Sequence, residues 1–445
     1  MSDILIKNAK IVNEGNIFKS DVLISGDVIV DIAENILEKN TDILINAENK
    51  FLIPGAIDDQ VHFREPGLTH KATIKSESKA AVAGGITSFI EMPNTLPQTT
   101  TLKELDKKFD LAKKNSFANY SFMFGGTNTN IKEIKKLDNK RVAALKLFLG
   151  SSTGNMLVDN QKVLKEIFES TNLLIAVHSE DEKIINNNLN AFKLKYGNDI
   201  PFECHPKIRS EEACLKSTKK IIALAKKTNA RLHVFHLSTK SESLLFDNSV
   251  KLKDKKITSE VCVHHLWFSD IDYTKKQSLI KWNPAIKSVE DKNALWDALN
   301  NDRIDVIATD HAPHTIKEKS KKYLECPSGG PLVQHGLVSM VQHFLNNKIS
   351  LQKIVTKMCH NPADLFQIKR RGYIRKGYYA DIVLLDLNSP WKVEKKNILY
   401  KCKWSPFEGI TFDSKVTHTF INGKLVFENG KFDDSFRGRE ITFNR

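Results

Sequence analysis

The stretch Leu173–His178 reads Leu-Leu-Ile-Ala-Val-His, an apolar run that ends in a side chain able to bind a divalent metal. Four other short apolar runs end in the same manner, and segments of helical character separate them. The residues at their ends are His62, Lys146, His236 and Asp310. Buried strands that alternate with helices and carry polar residues at their carboxyl ends are typical of a (β/α)8 barrel. The pattern predicts an α/β barrel that acts as a metal-dependent hydrolase.

The middle of the chain, residues 54–370, is predicted to form this barrel. Its eight strands are placed at 57–62, 88–92, 119–124, 143–149, 173–178, 232–236, 258–264 and 304–310. The two ends instead show short alternating strands, and Asn422-Gly423 is a strong hairpin signal. We therefore expect residues 1–53 and 371–445 to meet in one small composite β-sandwich domain.

The composition limits the possible partners. No stretch among the 445 residues approaches 18 consecutive apolar residues, so no membrane span is expected. The net charge is +14, but the basic clusters at 251–256 and 317–322 match no nucleic-acid motif, and we interpret them as solvated surface. Such an excess of positive charge would help to attract an anionic substrate. Six scattered cysteines without a CxxC pair indicate free thiols in the cytoplasm.

The five strand ends carry the residue types that metal-assisted hydrolysis needs. His62, His178 and His236 can each present a neutral imidazole, and a bound metal lowers the pKa of water toward about 7. Asp310 can bind metal through one oxygen and act as general acid and base through the other. Lys146 must be neutral or modified, because an ammonium repels a cation. Carbamylation by carbon dioxide would make it a bridging carboxylate, whereas an ion-paired barrel lysine is the alternative.

Motifs along nearly the whole chain resemble, in order, those of the dihydroorotases in the amidohydrolase superfamily. The motifs are Pro54–Asp58, Val61–Gly67, Glu91–Thr95, Leu145–Phe148, Val177–Glu180, His236–Ser238, Glu260–Leu266, Lys281–Pro284, Ala308–His314 and Gly377–Asp386. The resemblance implies reversible cyclisation of N-carbamoyl-L-aspartate to L-dihydroorotate in pyrimidine biosynthesis, one or two zinc ions per chain and a homodimer. It also implies substrate contacts from Asn94, Asn283, His314, Gly329 and Gly330.

Arg64 offers an independent indication of the substrate. It lies two residues after His62, so in a strand the two side chains point to the same side. A guanidinium can bind the carboxylate of dihydroorotate with two parallel hydrogen bonds. The alternative for such an arginine is a structural ion pair.

Gln60 departs from the family pattern, which has a His-x-His pair on the first strand. A glutamine oxygen is a poorer zinc ligand than an imidazole nitrogen. The first metal is therefore expected to bind weakly, to use Gln60 or water, or to be absent. Asp59 is expected to face the opposite side of an extended strand, which would make it an unsuitable replacement.

The expected reaction uses metal-activated hydroxide to attack the ring amide in the hydrolytic direction, while Asp310 takes a proton and returns it to the departing nitrogen. Arg64, Asn94 and His314 would hold the substrate carboxylate. Two alternatives remain: a cyclic amidase acting on dihydropyrimidines, hydantoins or allantoin, and a catalytically silent assembly partner. Arg64 and His314 argue against the first, while Gln60 favours the second and the retained ligands oppose it.

Overall fold

The computed structural model describes residues 3–38, 41–150 and 156–445. Its strands are β1 (Asp3–Asn13), β2 (Asn16–Ser25), β3 (Val28–Ala33), β4 (Ile43–Asn46), β5 (Phe51–Pro54), β6 (Ala56–Val61), β7 (Ile86–Glu91), β8 (Asn119–Phe122), β9 (Phe124–Gly125), β10 (Leu145–Phe148), β11 (Ile175–His178), β12 (Leu232–Val234), β13 (Ile257–Cys262), β14 (Val306–Ala308), β15 (Ile382–Asp386), β16 (Trp391–Lys392), β17 (Thr411–Phe412), β18 (Lys415–Ile421), β19 (Lys424–Glu428) and β20 (Lys431–Phe432). The predicted domain ranges also include residues 1–2, 39–40 and 151–155, which lie outside the described residues.

The α-helices lie mainly between the strands of the middle region. They are α1 (Ile74–Ala83), α2 (Leu102–Asn115), α3 (Ile131–Ile134), α4 (Gln161–Ser170), α5 (Glu182–Tyr196), α6 (His205–Ile208), α7 (Glu211–Thr228), α8 (Lys240–Ser243), α9 (Val263–Trp267), α10 (Tyr273–Lys276), α11 (Val289–Asn300), α12 (Ile316–Lys319), α13 (Gly336–Leu345), α14 (Leu351–Val355) and α15 (Asn361–Leu365). A π-helical turn, Thr356–His360, joins the last two. Among these helices, none is both long and apolar enough to cross a membrane.

Local sequence explains where the longer helices begin. The helices α1, α2, α4, α5, α7 and α11 each start after a short polar residue whose side chain accepts a backbone N–H of the first turn, as expected of N-caps. These residues are Thr73, Thr101, Asn160, Asp181, Ser210 and Ser288. Each helix then buries one face, as α4 does with Leu164, Ile167 and Phe168.

The strands β6 to β14 form a closed parallel barrel. They pair in the orders β6-β7-β8 and β9-β10-β11-β12-β13-β14, and β8 continues into β9 after Met123. The Met123 N–H donates to Glu91 O, which continues the pairing with β7. A parallel bridge between Val61 and His311 joins β6 to the segment after β14. The predicted (β/α)8 architecture is therefore confirmed, with β8 and β9 forming one of the eight strands.

Three predicted strands extend two residues too far, and the one predicted at 258–264 ends at Cys262, because α9 begins at Val263. The strand predicted at 232–236 ends at Val234, and the one predicted at 304–310 ends at Ala308. His236 and Asp310 follow these ends with backbone φ angles of 39° and 45°, outside the extended region. The chain turns out of the sheet at both residues, so both side chains lie at the rim rather than in the ladder.

Both ends of the chain contribute to one nine-stranded sheet. Its order is β20-β19-β18-β15-β5-β1-β2-β3, and β4 pairs with β1. β5 lies between the parallel β1 and the antiparallel β15, so an N-terminal and a C-terminal strand are direct neighbours. This β-rich unit agrees with the predicted partnership of the chain ends, and boundaries at residues 53/54 and 370/371 stay a prediction.

A bulge in β6 changes the direction of its side chains. Asp58 pairs with Phe89 and Val61 pairs with Glu91, so β6 has one residue more than β7 between these pairs. An extra residue breaks the alternation of an extended strand. Asp59 is consequently buried inside the barrel, 3.7 Å from His233. The prediction that Asp59 faces away from the interior is wrong, because it assumed a regular strand.

Candidate active site

One cleft at the carboxyl ends of the barrel strands collects most of the predicted site residues. Two of the predicted residues do not line the cleft: His314 lies behind Arg64, and Gly330 lies behind Trp282. Trp282, Phe148, Ala312 and Ser328 complete the wall without having been predicted as site residues. The predicted residues that line the cleft are Gln60, His62, Arg64, Asn94, Lys146, His178, His236, Asn283, Asp310 and Gly329.

His178 and His236 direct two ring nitrogens at the same point. His178 Nδ1 lies 3.0 Å from His236 Nε2. The other nitrogen of His178, Nε2, lies 2.9 Å from the Glu180 carboxylate, which favours a proton on that nitrogen and leaves the Nδ1 lone pair free. Two imidazole nitrogens on one tetrahedral zinc lie about 3.3 Å apart, given Zn–N bonds of about 2.05 Å. The pair is therefore spaced to share one metal ion.

His62 and Asp310 form a second pair of ligand type. His62 Nδ1 lies 2.8 Å from Asn94 Oδ1, so a proton on Nδ1 can be donated to that oxygen. His62 Nε2 then presents its lone pair 3.2 Å from Asp310 Oδ1. Burial raises the pKa of Asp310 to about 7, against the opposing effect of Lys146 and other nearby cations. A divalent cation between the two would favour the ionised carboxylate.

Gln60 does not join either pair in this structure. Its side-chain oxygen accepts from the Cys262 thiol at 3.6 Å, a contact toward β13. The side chain is almost fully buried although it reaches the cleft. With glutamine instead of histidine on the first strand, the cleft therefore has two pairs of possible metal ligands. They are His178 with His236, and His62 with Asp310.

Lys146 is buried at the floor of the cleft. Its Nζ has no hydrogen-bond partner among the described residues and lies 4.0 Å from the centre of the Phe235 ring. Burial lowers the pKa of Lys146 to about 7, although the carboxylates of Glu260 and Asp310 favour the ammonium. A substantial fraction of this amine is therefore neutral near pH 7, and the neutral form is the one that reacts with carbon dioxide.

Arg64 is a buried cation beside the metal-ligand pairs. Its Nε donates to Pro313 O at 3.1 Å, and Nη2 lies 3.2 Å from His314 Nε2. Burial lowers the pKa of Arg64 only to about 10, so the guanidinium stays charged at neutral pH. In the described part of the chain no carboxylate lies within ion-pair distance of it. A structural ion pair, the alternative considered for this arginine, is thus absent from the described residues.

A loop held by buried lysines forms the part of the wall that contacts His314. Lys319 Nζ donates to Pro327 O at 3.0 Å and to Gly329 O at 2.9 Å, and its side chain is fully buried. Gly329 has a φ of 123°, and a Cβ there would lie 2.5 Å from Ala312 O, so only glycine fits. Lys281 Nζ donates to two further carbonyls, of Tyr323 and Cys326.

The interpretation of cluster 317–322 as solvated surface is wrong for Lys319. The short helix α12 turns this lysine inward, where backbone carbonyls replace water around its ammonium. The cluster at 251–256 is also only partly solvated, because Lys255 pairs with Asp305 and both side chains are about 3% exposed. A lysine run shows no periodicity that distinguishes the buried member, so the sequence carried no signal for either contact.

The Amidohydrolase family pattern matches residues 51–426. A dihydroorotase of Methanosphaera stadtmanae is 31% identical over 445 residues, which cover 98% of this chain and 100% of that protein. A dihydroorotase of Carboxydothermus hydrogenoformans is 33% identical, with 95% and 98% covered. The solved L-hydantoinase (dihydropyrimidinase) from Arthrobacter aurescens has a TM-score of 0.92 at 27% identity, covering 97% of each chain. The chain therefore belongs to the amidohydrolase family, in the branch that contains the dihydroorotases.

Proposed function

We propose that this chain is a dihydroorotase, which interconverts N-carbamoyl-L-aspartate and L-dihydroorotate in pyrimidine biosynthesis. The observation that carries the proposal is Arg64, a buried guanidinium that lines the cleft without a carboxylate partner among the described residues. A cation in such a place favours a substrate with a fixed carboxylate, because a buried charge is costly unless it is paired. The dihydroorotases among the relatives point to the same substrate.

The side chains of the cleft would divide the chemistry among them. A divalent metal, when bound, would lower the pKa of a water molecule and polarise the ring amide. Asp310 would take the proton from the attacking water and return it to the ring nitrogen as the amide bond breaks. Arg64 would hold the substrate carboxylate, with Asn94 and Asn283 placed on the same cleft to contact the ring. His314 lies behind Arg64 and would keep that side chain in place.

Zinc is the metal we propose, held by His178 and His236 together with a carbamylated Lys146. The 3.0 Å separation of the two imidazole nitrogens supports the first part. The buried amine of Lys146, with its lowered pKa, supports the second. His62 and Asp310 would bind a further zinc more weakly, because Gln60 turns toward Cys262 instead of completing that set.

The proposal also includes a cytoplasmic homodimer. All six cysteines are free thiols, which favours a reducing compartment. The dimer rests on the resemblance to dihydroorotases, and sedimentation of the purified chain would measure it.

The test is to offer the purified protein four compounds in parallel: dihydroorotate, carbamoyl-aspartate, dihydrouracil and hydantoin. Dihydroorotate should be hydrolysed, and carbamoyl-aspartate cyclised, with efficiencies far above those for dihydrouracil or hydantoin, which lack the carboxylate. Preferred turnover of hydantoin or dihydrouracil would instead support a cyclic amidase of the hydantoinase type. A protein that binds zinc but turns over none of the four would indicate the silent assembly partner.

A further inference from the structure

A second set of metal-ligand side chains lies inside the barrel, one contact away from the cleft. Asp59, His233 and Glu260 come from three different segments, β6, β12 and β13, and all three are fully buried. Their ligand atoms lie within 4.8 Å of one another. His233 Nε2 lies 3.7 Å from Asp59 Oδ2 and 3.6 Å from Glu260 Oε2. Imidazole and carboxylate groups therefore converge on a common centre.

Hydrogen bonding fixes which nitrogen of His233 faces this centre as an acceptor. Thr258 Oγ1 donates its single proton to Leu232 O at 3.2 Å. The same oxygen lies 2.8 Å from His233 Nδ1, and with its proton on Leu232 O it accepts a proton from that nitrogen. In the neutral imidazole, Nε2 then carries a lone pair. Three electron-rich groups consequently face one another, and Thr258 acts as the outer partner that orients a metal-binding histidine.

Among the described residues no nitrogen or hydroxyl donor reaches these acceptors, which are both carboxylate oxygens of Asp59, Glu260 Oε2 and His233 Nε2. The Asp59 and Glu260 carboxyls can hydrogen-bond to each other only when one of them carries a proton. Lys146 is the nearest candidate cation, but its Nζ also lacks a hydrogen-bond partner and therefore does not bind these oxygens directly. Buried carboxylates are normally paired or bound to metal, because isolated ones lose their hydration without compensation. A positive charge is the component that this arrangement lacks.

We propose that Asp59, His233 and Glu260 bind a divalent cation at a site distinct from the pair His178 and His236. Two carboxylates with one imidazole suit a cation of intermediate hardness, such as Mn²⁺, Fe²⁺ or Zn²⁺. Burial and the neighbouring Asp58 carboxylate raise the pKa of Asp59. A proton is therefore the competitor that the metal would displace.

The position of the site connects it to the substitution on the first strand. Cys262 Sγ lies 3.4 Å from Glu260 Oε1 and 3.6 Å from Gln60 Oε1. Gln60 lines the cleft, so its side chain and Cys262 are what separate the interior site from the cleft. The bulge that brings Asp59 into the barrel lies in the same segment as Gln60. The first strand thus supplies an interior ligand, Asp59, next to Gln60, the position at which the family pattern has a histidine.

Metal content tests the site independently of catalysis. A variant with His62→Asn, His178→Asn and His236→Asn removes the imidazole ligands of both cleft pairs, and dialysis against Mn²⁺ followed by elemental analysis measures what remains. We expect about one Mn²⁺ per chain in this background, and its loss when Asp59→Asn is added. Asp58→Asn is the matched control, because Asp58 is a buried neighbour whose carboxylate is already satisfied by Thr309. That control should keep the ion.

Two results would overturn the proposal. One is a His62, His178 and His236 triple variant that retains no Mn²⁺ although its circular dichroism is native, which would mean that protons occupy the interior acceptors. The other is unchanged Mn²⁺ after Asp59→Asn. If Asp59→Asn does not fold, Glu260→Gln gives the same test. Crystals of the variant with Mn²⁺ would show an anomalous peak beside His233 if the site binds metal. Lack of dihydroorotase activity would leave all these readouts unaffected.

Discussion

Replacing Arg64 by glutamine tests the proposed substrate most directly. Glutamine keeps hydrogen-bonding capacity and most of the volume but removes the charge and the forked geometry. The variant should bind carboxylated substrates poorly, because the carboxylate would enter a buried place without a counter-charge. A carboxamide analogue of dihydroorotate should lose much less, since it brings no charge into the cleft.

The structure sets the size of the effect. Arg64 is 2% exposed, so its bonds to a substrate carboxylate would be shielded from water. Removing one partner of a buried, hydrogen-bonded charge pair costs about 2–5 kcal/mol. At about 1.4 kcal/mol per factor of ten, kcat/KM should fall by roughly 30-fold to several thousand-fold. Arg64→Lys, which keeps the charge but loses the fork, should lie between glutamine and the wild type.

The assay is steady-state hydrolysis of dihydroorotate and of its carboxamide at equal zinc content. Arg141→Gln serves as control, because Arg141 pairs with Asp106 and Glu440 at the surface, where its side chain is 36% exposed. A kcat/KM for dihydroorotate within threefold of wild type would refute the role given to Arg64. So would an equal loss on both substrates with a normal melting temperature.

Four further predictions concern the cleft. Asp310→Asn should lower kcat by about 10²–10⁴-fold, the range for a lost general acid and base, with dihydroorotate turnover as the measurement. Reactivation of metal-free protein by zinc and bicarbonate should increase as pH rises through about 7. The Lys146 ammonium loses a proton in this range, and the resulting amine releases a second proton when it forms the carbamate. A flat reactivation profile from pH 6 to 8.5 would contradict this. Gln60→His should raise the zinc bound per chain at low zinc concentration, measured by elemental analysis, whereas an unchanged value would mean that the position is not a ligand position. Gly329→Ala should cost about 1–3 kcal/mol of unfolding free energy, because its φ is 123° and the new Cβ would lie 2.5 Å from Ala312 O; denaturant unfolding measures this.

The ends of the barrel strands could be predicted because the local sequence shows both which segments are buried and in which direction the chain runs. An apolar run marks a buried strand, and parallel strands of a barrel place their carboxyl ends at one face. His62 and His178 follow from this reasoning without knowledge of the loops. Lys146 was expected at a strand end too, but it is the second residue of β10, which continues to Phe148. The loop that contains Gly329 could be assigned to the site only through the resemblance to known proteins. Its position depends on contacts with Ala312 and Lys319, which no local sequence pattern predicts.

The bulge at Asp58–Val61 had no local signal. Whether a strand contains an extra residue depends on its pairing with β7, which a single segment does not reveal. The orientation of Asp59 was therefore predicted from regular alternation and came out reversed. The positive φ angles of His236 and Asp310 were equally hidden, because neither residue type requires that conformation. Long-range pairing, rather than local preference, determined these features.

The shared sheet of the chain ends has a consequence for biosynthesis. Ile53 of β5 pairs with Val383 of β15, and the entire barrel lies between them in sequence. While the ribosome is still making the barrel, one edge of β5 has no strand to bind, and open edges invite pairing with other chains. The N-terminal strands must therefore wait for the last part of the chain, and a protein truncated before β15 should aggregate even if its barrel is complete.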